Sequence, residues 1–200
     1  RVQEFMNFQI MNVMDEYDPE MDRLLFYLPL AGSAFKKVYF DDILDRAVSR
    51  FVPADDLIVP YNATDLSSAS RVTHVIRMNT NDVRKFQAGG FYREVDIMAY
   101  EDSDEIREKE RNLSGIERTG GDEQDCTLIE VHTDLDLRGF EHVSPITGEE
   151  TGIKLPYIIT IDEGSSKVLS VRRNWVEGDE FYKKIQYFSH YKFLPGLGFY

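Results

Sequence analysis

The sequence predicts an α+β protein in which N-terminal helices are followed by antiparallel hairpins and a sheet, segregated rather than alternating along the chain. Apolar residues recur at helical spacing over residues 2–28, and from residue 34 onward they recur at the shorter period of strands. The content of 42% hydrophobic and 12% aromatic residues is typical of a packed globular protein. We therefore expect a single α+β region over residues 1–200, with a flexible acidic insertion at 101–125.

Two helices are predicted at the N-terminal end. The first spans residues 2–16 and carries an apolar stripe at spacings of three, formed by Phe5, Phe8, Met11 and Met14. The second begins at Asp18 and Pro19, which read as N-cap and first helical residue, and ends at Pro29 and Gly32. A stripe of Met and Phe at this spacing is usually core, so we expect the first helix to bury it.

Strands follow the two helices. Residues 35–40 and 46–52 are short apolar-rich runs joined by the polar turn 41–45, which predicts a β-hairpin. A short strand is expected over 57–59, between two prolines that exclude a helix or a central strand. Residues 71–78 alternate as a further strand.

A short helix and an acidic tract come next. Residues 79–90 begin with cap-forming residues and end on two glycines, as a short helix with a glycine cap does. Residues 101–125 hold ten acidic and four basic side chains, a net charge of −6. A solvated helix followed by a linker explains this tract, and an acidic tail that docks a partner is the functional alternative.

The pattern from residue 126 onward is that of strands throughout. A long strand is predicted over 127–137. Residues 155–161 and 167–175 flank the glycine-containing turn 162–166, which predicts a hairpin. A last strand is expected over 182–193, with aromatic residues on both faces.

Charge and cysteine content restrict the function classes. With 36 acidic and 23 basic residues the net charge is −13, and no basic patch interrupts it, so tight binding of DNA phosphates is not expected. The single cysteine excludes an intrachain disulfide framework. No apolar run approaches the roughly 18–20 residues that cross a bilayer, and no signal peptide is recognisable. Because residue 1 is Arg, we expect an internal fragment.

One polar pattern resembles a metal site. Alternate residues of a strand share a face, so a strand over 127–137 would place Glu130, His132, Asp134 and Asp136 together. Carboxylates beside an imidazole can hold Mg²⁺, Mn²⁺ or Zn²⁺ for phosphodiester hydrolysis. A solvated polar face opposite Val131, Leu135 and Leu137 explains the pattern without metal, and we favour that interpretation.

Other catalytic signals are weak. There is no G-x-S-x-G elbow, and no flanking motif marks Cys126 as activated. His74 lies on an apolar strand face, where a packed core histidine is more common than a base. No catalytic residue and no cofactor are therefore predicted, and the chain is not expected to be an enzyme.

Four segments of the sequence together resemble the portal, or head-to-tail connector, protein of short-tailed bacteriophages. They are FVPADDLIVPYNATDL at 51–66, EVHTDLDLRGF at 130–140, TGIKLPYIITIDEGSSKVLSVRRNW at 151–175 and HYKFLPGLGFY at 190–200. The likeness is densest over residues 38–96 and 126–200, and it is a likeness of whole segments rather than of a short motif.

This resemblance implies a structural role. Portal proteins form a dodecameric ring at one capsid vertex, and double-stranded DNA passes through the channel without tight binding. Their partners are copies of themselves, the terminase, the tail adaptor and the capsid and scaffolding proteins. They have no catalytic centre, need no membrane, and reside in the virion after assembly in the host cytoplasm. The chain would correspond to the peripheral wing region, with the channel helix, stem and clip mostly outside residues 1–200.

Two other functions remain open from the residues alone. One is a metal-dependent phosphodiesterase or nuclease that uses Glu130, His132, Asp134 and Asp136. The other is a plain acidic protein-interaction domain, for which residues 101–125 would matter. The resemblance transfers no individual site residue, because functional positions in portal proteins are ring interfaces rather than motif residues.

Overall fold

The computed structural model of the chain describes residues 1–41, 44–97 and 125–194. Over these residues the α+β class is confirmed, with N-terminal helices followed by two antiparallel sheets. The elements in chain order are α1 (Val2–Phe8), a π-helical turn (Gln9–Val13), α2 (Tyr17–Ala31), β1 (Ser33–Asp41), β2 (Arg46–Pro53), a 3₁₀ turn (Ala54–Asp56), β3 (Leu57–Ile58), β4 (Arg71–Asn79), α3 (Thr80–Ala88), β5 (Asp125–Leu135), β6 (Leu155–Asp162), β7 (Lys167–Arg173) and β8 (Phe188–Lys192).

The chain divides into two compact units. The first comprises residues 1–74, 131–157 and 173–200, and the second comprises residues 75–130 and 158–172. The acidic insertion predicted over 101–125 lies outside the described residues, except for the backbone of Asp125 at the start of β5.

The helices agree with the prediction in position, but the second differs at both ends. Asp18 and Pro19 were expected as N-cap and first helical residue, and this is wrong, because α2 begins at Tyr17 with Glu16 as its N-cap. Pro29 was expected to end the second helix, and this is wrong, because it lies inside α2, which continues to Ala31. A proline this close to the end removes only one backbone hydrogen bond. The prediction that Gly32 ends the helix is confirmed: it has a φ of 74°, and its N–H donates to the Leu28 carbonyl at 2.8 Å. No helix among residues 1–41, 44–97 and 125–194 is long and apolar enough to span a bilayer.

One sheet has three strands in the order β2-β1-β8. The predicted hairpin is confirmed: β1 and β2 pair antiparallel, with Lys37 opposite Arg50. β8 pairs with the other side of β1, with Phe35 opposite His190. This leaves β2 at one edge of the sheet.

The second sheet has five strands in the order β3-β4-β5-β6-β7. The hairpin of β6 and β7 is confirmed, and the side chain of Asp162 organises its turn. One carboxylate oxygen of Asp162 accepts hydrogen bonds from the backbone N–H of Ser165 at 3.0 Å and from its hydroxyl at 2.5 Å. Asp162 is fully buried, so these bonds replace the water that its carboxylate lost.

The last strand is shorter than the predicted 182–193. Tyr182 has a φ of 48°, which breaks an extended backbone, and β8 begins only at Phe188. The Asp179 carboxylate accepts backbone hydrogen bonds from Phe181 at 3.1 Å and Lys183 at 2.9 Å, which closes a turn here.

Each unit has its own core. The core of the first is built from β1, β2, β3, β4, β8 and the loop before β4, through Phe35, Val52, Ala54, Leu57, Leu66, Ala69, Val72 and Phe188. The core of the second consists of Val83 on α3 with Tyr92, Cys126, Leu128 and Leu169. The predicted helix over 79–90 is confirmed as α3, and the Asn79 side chain caps it by accepting from the Asn81 N–H at 2.8 Å.

Candidate functional site

The polar residues of β5 do not form the solvated face that the sequence predicted. Glu130 and His132 are buried, at 5% and 3% exposure, and only Asp134 and Asp136 are exposed. The strand ends at Leu135, so Asp136 lies beyond it. The prediction that alternate residues of this strand share a face is correct. The burial of Glu130 and His132, however, depends on the segments that pack against this face.

Glu130 and His132 have different surroundings. A carboxylate oxygen of Glu130 lies 3.9 Å from the Arg172 guanidinium, which itself packs 4.4 Å from the centre of the Phe91 ring. His132 packs edge-on against the rings of Tyr187 and Phe188, with centroids 5.6 and 5.3 Å away. Across the described part of the chain, no three His, Cys, Asp or Glu side chains come together in a way that could hold a metal ion.

Three of the four histidines pack in the core of the first unit. His74 and His132 both meet the Phe188 ring edge-on, and His190 stacks on Phe35 with centroids 4.6 Å apart. The Nε2 atom of His190 also lies 2.6 Å from the Ser33 hydroxyl oxygen. These contacts agree with the prediction that His74 is a packed core histidine.

The surroundings of His190 disfavour its charged form. Burial first, and the positive charge of Lys192 second, lower the pKa of His190 below its ordinary value of 6.5. The unfolded chain therefore binds the proton more readily than the folded chain. Stability from the neutral imidazole is present above pH 6.5 and is lost as the pH falls through the lower pKa of the folded state.

Two carboxylates, one at the N-cap of α2 and one in its first turn, cover the free edge of β2. Glu16 accepts from the Ser49 backbone N–H at 3.2 Å, and Glu20 accepts from the Phe51 backbone N–H at 2.7 Å. Glu16 also pairs with Arg46 at 2.6 Å. Burial raises the pKa of Glu16, but these hydrogen bonds outweigh burial and the net pKa lies below its ordinary 4.5. Covering edge N–H groups in this way blocks pairing with a foreign strand.

Lys36 lies beside these carboxylates with little exposure to water. Its side chain is 2% exposed, and its ammonium nitrogen lies 4.0 Å from the centre of the Tyr17 ring. Burial lowers the pKa of Lys36, and the charges of Glu20 and Glu16 oppose that shift. Within the described residues the ammonium has no hydrogen-bond partner.

The first helix exposes the apolar stripe that the sequence assigned to the core. No residue of α1 is buried, and Val2, Phe5, Met6, Phe8 and Met11 are between 47% and 78% exposed. The core expectation for this stripe is therefore wrong. Residues 2–13 contain a single charged side chain, Glu4. We call these five apolar side chains the N-terminal apolar face.

A second surface of the first unit contains two adjacent, open cavities with a mixed polar and apolar lining. The first has a volume of about 340 Å³ and is lined by Phe140, His142, Leu155, Tyr157, Trp175 and Tyr182 among others. The second, of about 380 Å³, is lined by Ile153, Leu155, Phe181, Tyr182 and Lys184 among others. Leu155 and Tyr182 belong to both. We call the lining of both cavities the aromatic pocket surface.

Perpendicular ring contacts hold this surface in shape. The Trp175 ring meets Tyr157 and Tyr182 edge-on, with centroids 5.4 and 5.6 Å apart, and His142 meets Tyr182 in the same way at 5.1 Å. Rings in such contacts keep one another's orientation. These contacts order the rings at an open part of the surface.

Charged groups at the rim of the first cavity have defined positions. The Gly139 backbone N–H donates to the Glu141 carboxylate at 2.7 Å and holds the pKa of Glu141 below its usual range. The Arg173 guanidinium lies 5.8 Å from the centre of the Trp175 ring. The cavity thus combines aromatic walls with charges of both signs at its edge.

The sequence analysis did not identify this surface, because it assigned the aromatic residues to sheet core. A usable signal existed: Phe140 follows Gly139, and Phe181 follows a turn around Gly178. Large apolar side chains in turn segments lack a strand face to bury them.

Comparisons with known proteins add no assignment. The chain matches none of the protein-family models and none of the curated proteins against which it was compared.

Proposed function

We propose that the chain is a non-catalytic structural subunit of a closed ring, of the kind formed by the portal proteins of short-tailed bacteriophages. The observation that carries this proposal is the N-terminal apolar face, a helical surface without a buried residue. Soluble monomers rarely expose a large contiguous apolar patch, and such patches usually mark a contact with another macromolecule. A ring subunit needs such contacts.

The extent of this face suits a subunit contact. With about 150–250 Å² for a large side chain, the exposed parts of the five residues come to roughly 500–800 Å². A stable interface buries about 800 Å² per partner. One such contact is therefore at most marginal alone, and closure of a ring, in which every subunit makes two contacts, would stabilise it.

The remaining roles are proposed from the sequence resemblance. The ring would occupy a capsid vertex in the virion, let double-stranded DNA pass during packaging and ejection, and dock the terminase, the tail adaptor and capsid or scaffolding proteins. A net charge of −13 supports a surface along which DNA moves without tight binding. None of these roles requires an active site.

The proposal is tested by the mass of the chain in solution. Sedimentation velocity and light scattering over a wide concentration range should show self-association that rises with concentration. The double variant Phe5→Asp/Met11→Asp should remain monomeric, because it places two charges on the N-terminal apolar face. Tyr61→Asp is the matched control, since Tyr61 is fully exposed and belongs neither to the N-terminal apolar face nor to the aromatic pocket surface.

Two results would contradict the proposal. The first is a chain that stays monomeric at millimolar concentration. The second is a double variant that self-associates as strongly as the unmodified chain. In the expected case, electron microscopy of the associated form should show closed rings.

A further inference from the structure

We propose that α2 is a releasable strap, a helix that detaches from the edge of β2 while both sheets stay folded. With α2 docked, the edge N–H groups of Ser49 and Phe51 are occupied, and with α2 released they are open to pairing with a further strand. This inference concerns a single copy of the chain and does not depend on the proposed ring.

The helix lies outside the hydrophobic cores of the protein. Among the described residues, no buried member of either core belongs to α2, and only Tyr27 packs against the core of the first unit. Leu24 is the one apolar residue of α2 that is buried. The preceding helix α1 contains no buried residue. The buried members of both cores therefore stay together when α2 leaves the sheet.

Polar contacts fasten α2 to the strand instead. The Ser49 N–H donates to Glu16 at 3.2 Å, and the Phe51 N–H donates to Glu20 at 2.7 Å. Glu16 also pairs with Arg46 at 2.6 Å. Water can replace each of these partners, so the net stability from such a bond is only a fraction of its strength in isolation. An attachment made of these bonds can open without unfolding of the sheet beneath it.

The docked state also buries charge. The ammonium of Lys36 faces α2, 4.0 Å from the centre of the Tyr17 ring, and only 2% of the residue is exposed. Burial lowers the pKa of Lys36, whereas the charges of Glu20 and Glu16 raise it. Because the effect of burial is the larger one, attraction to the two carboxylates does not make up for the lost water. Release of α2 returns these three charged groups to water and relieves that penalty.

Gly32 supplies the hinge for this motion. It joins α2 to β1 with a φ of 74°, and its carbonyl accepts from the Phe193 backbone N–H at 3.0 Å. This bond holds the start of β1 in place, while glycine can take up new backbone angles without the clash of a side chain. A few residues between two elements are enough to absorb such a motion.

The test is amide hydrogen exchange of the unmodified chain, measured residue by residue by NMR and corrected for intrinsic rates. The amides of Ser49, Phe51 and Leu24 should exchange about 100-fold faster than that of Phe35, because release of α2 exposes them without global unfolding. Leu24 reports the release because a detached helix of this length frays. Phe35 is fully buried in β1, between two paired strands, and reports unfolding of the whole sheet.

Glu20→Gln shows whether α2 moves as one unit. The Ser49 N–H donates to Glu16 and not to Glu20, so a purely local effect of this variant would be confined to Phe51. The variant should instead speed exchange at Ser49, Phe51 and Leu24 alike, by about tenfold, because a weaker bond at one point weakens the docking of the whole helix.

Lys36→Met changes the balance in the opposite direction. It should slow exchange at Ser49, Phe51 and Leu24 about fivefold, since it removes the charge that docking buries. Lys85→Met is the matched control, because the Lys85 side chain is 66% exposed on α3, where it pairs with Asp82. The control should leave the exchange of all three amides unchanged.

Three results would overturn the inference. Equal protection of Ser49, Phe51 and Phe35 in the unmodified chain would mean that this edge opens only when the whole sheet unfolds. Complete lack of protection at Ser49 and Phe51 would mean that α2 is not docked. Faster exchange at Phe51 alone in Glu20→Gln would mean that the carboxylates act singly. None of these measurements depends on the mass of the chain in solution, so the ring proposal is tested separately.

Discussion

The carboxylate of Glu20 provides the sharpest test of how this fold is held together. Its Oε2 atom accepts from the Phe51 backbone N–H at 2.7 Å, and its Oε1 atom lies 3.1 Å from the Arg23 guanidinium. The Glu20 side chain is 10% exposed, whereas that of Arg23 is 70% exposed. Substitution Glu20→Ala removes both interactions and leaves the Phe51 N–H at the edge of β2 without this acceptor.

The two losses differ in size. A hydrogen bond to an ionised, buried acceptor contributes about 1.5–3 kcal/mol. An ion pair with a largely exposed partner contributes about 0.2–1 kcal/mol. Alanine regains up to about 0.5 kcal/mol through its higher helix propensity. We therefore expect Glu20→Ala to lower the free energy of unfolding by about 2–3 kcal/mol, which corresponds to a fall in Tm of roughly 5–10 °C for a chain of this length.

Urea unfolding followed by circular dichroism measures this change, provided that the m value stays constant. Arg23→Ala is the matched control and should lose less than about 1 kcal/mol, because it removes only the exposed ion pair. Glu20→Gln keeps an oxygen acceptor, so its loss in the free energy of unfolding should lie between those of Glu20→Ala and Arg23→Ala. If Glu20→Ala and Arg23→Ala are equally mild, the hydrogen bond to Phe51 does not stabilise this edge and the reasoning is wrong.

Three further predictions concern buried polar groups. Stability should decline as the pH falls below about 6.5, because the unfolded chain binds a proton at His190 more readily than the folded chain does. His190→Phe should flatten that decline, and an unchanged slope in thermal melts would contradict this. Asp162→Ala should cost about 2 kcal/mol in urea unfolding because the turn of β6 and β7 loses its acceptor. Glu163→Ala, in the same turn, should leave the free energy of unfolding nearly unchanged. If Glu163→Ala and Asp162→Ala had equal effects, the loss of the Asp162 acceptor would not be the cause. Lys36→Met should raise the free energy of unfolding by about 1 kcal/mol, since it removes a buried ammonium. A lower free energy of unfolding would mean that the attraction of Lys36 to Glu16 and Glu20 exceeds the cost of burying its charge.

Local chemistry predicted most elements of the fold. The β1–β2 and β6–β7 hairpins follow from apolar runs separated by polar turns. The start and end of α3 follow from Asn79 as cap and from the glycines that close it. Pro29 and the strand over 182–193 were assigned wrongly, because a proline near a helix end is tolerated and a left-handed Tyr182 has no sequence signature.

The candidate site was far less predictable than the fold. The spacing of Glu130 and His132 correctly indicated a shared strand face, but their burial depends on Phe188 and Arg172, which are distant in sequence. The aromatic pocket surface joins segments around Phe140 and Trp175 whose proximity no local pattern encodes.

The sequence by itself determined the α+β class, the order of helices and strands and the strongly acidic charge, because these depend on periodicity, turn residues and composition. Only the tertiary structure decided which apolar residues are buried. Phe5 and Leu24 both lie on helical stripes, yet Phe5 is exposed and Leu24 is buried. The reason is that a periodic pattern predicts only that a helix has an apolar face, whereas the packing of distant segments decides whether another surface covers that face.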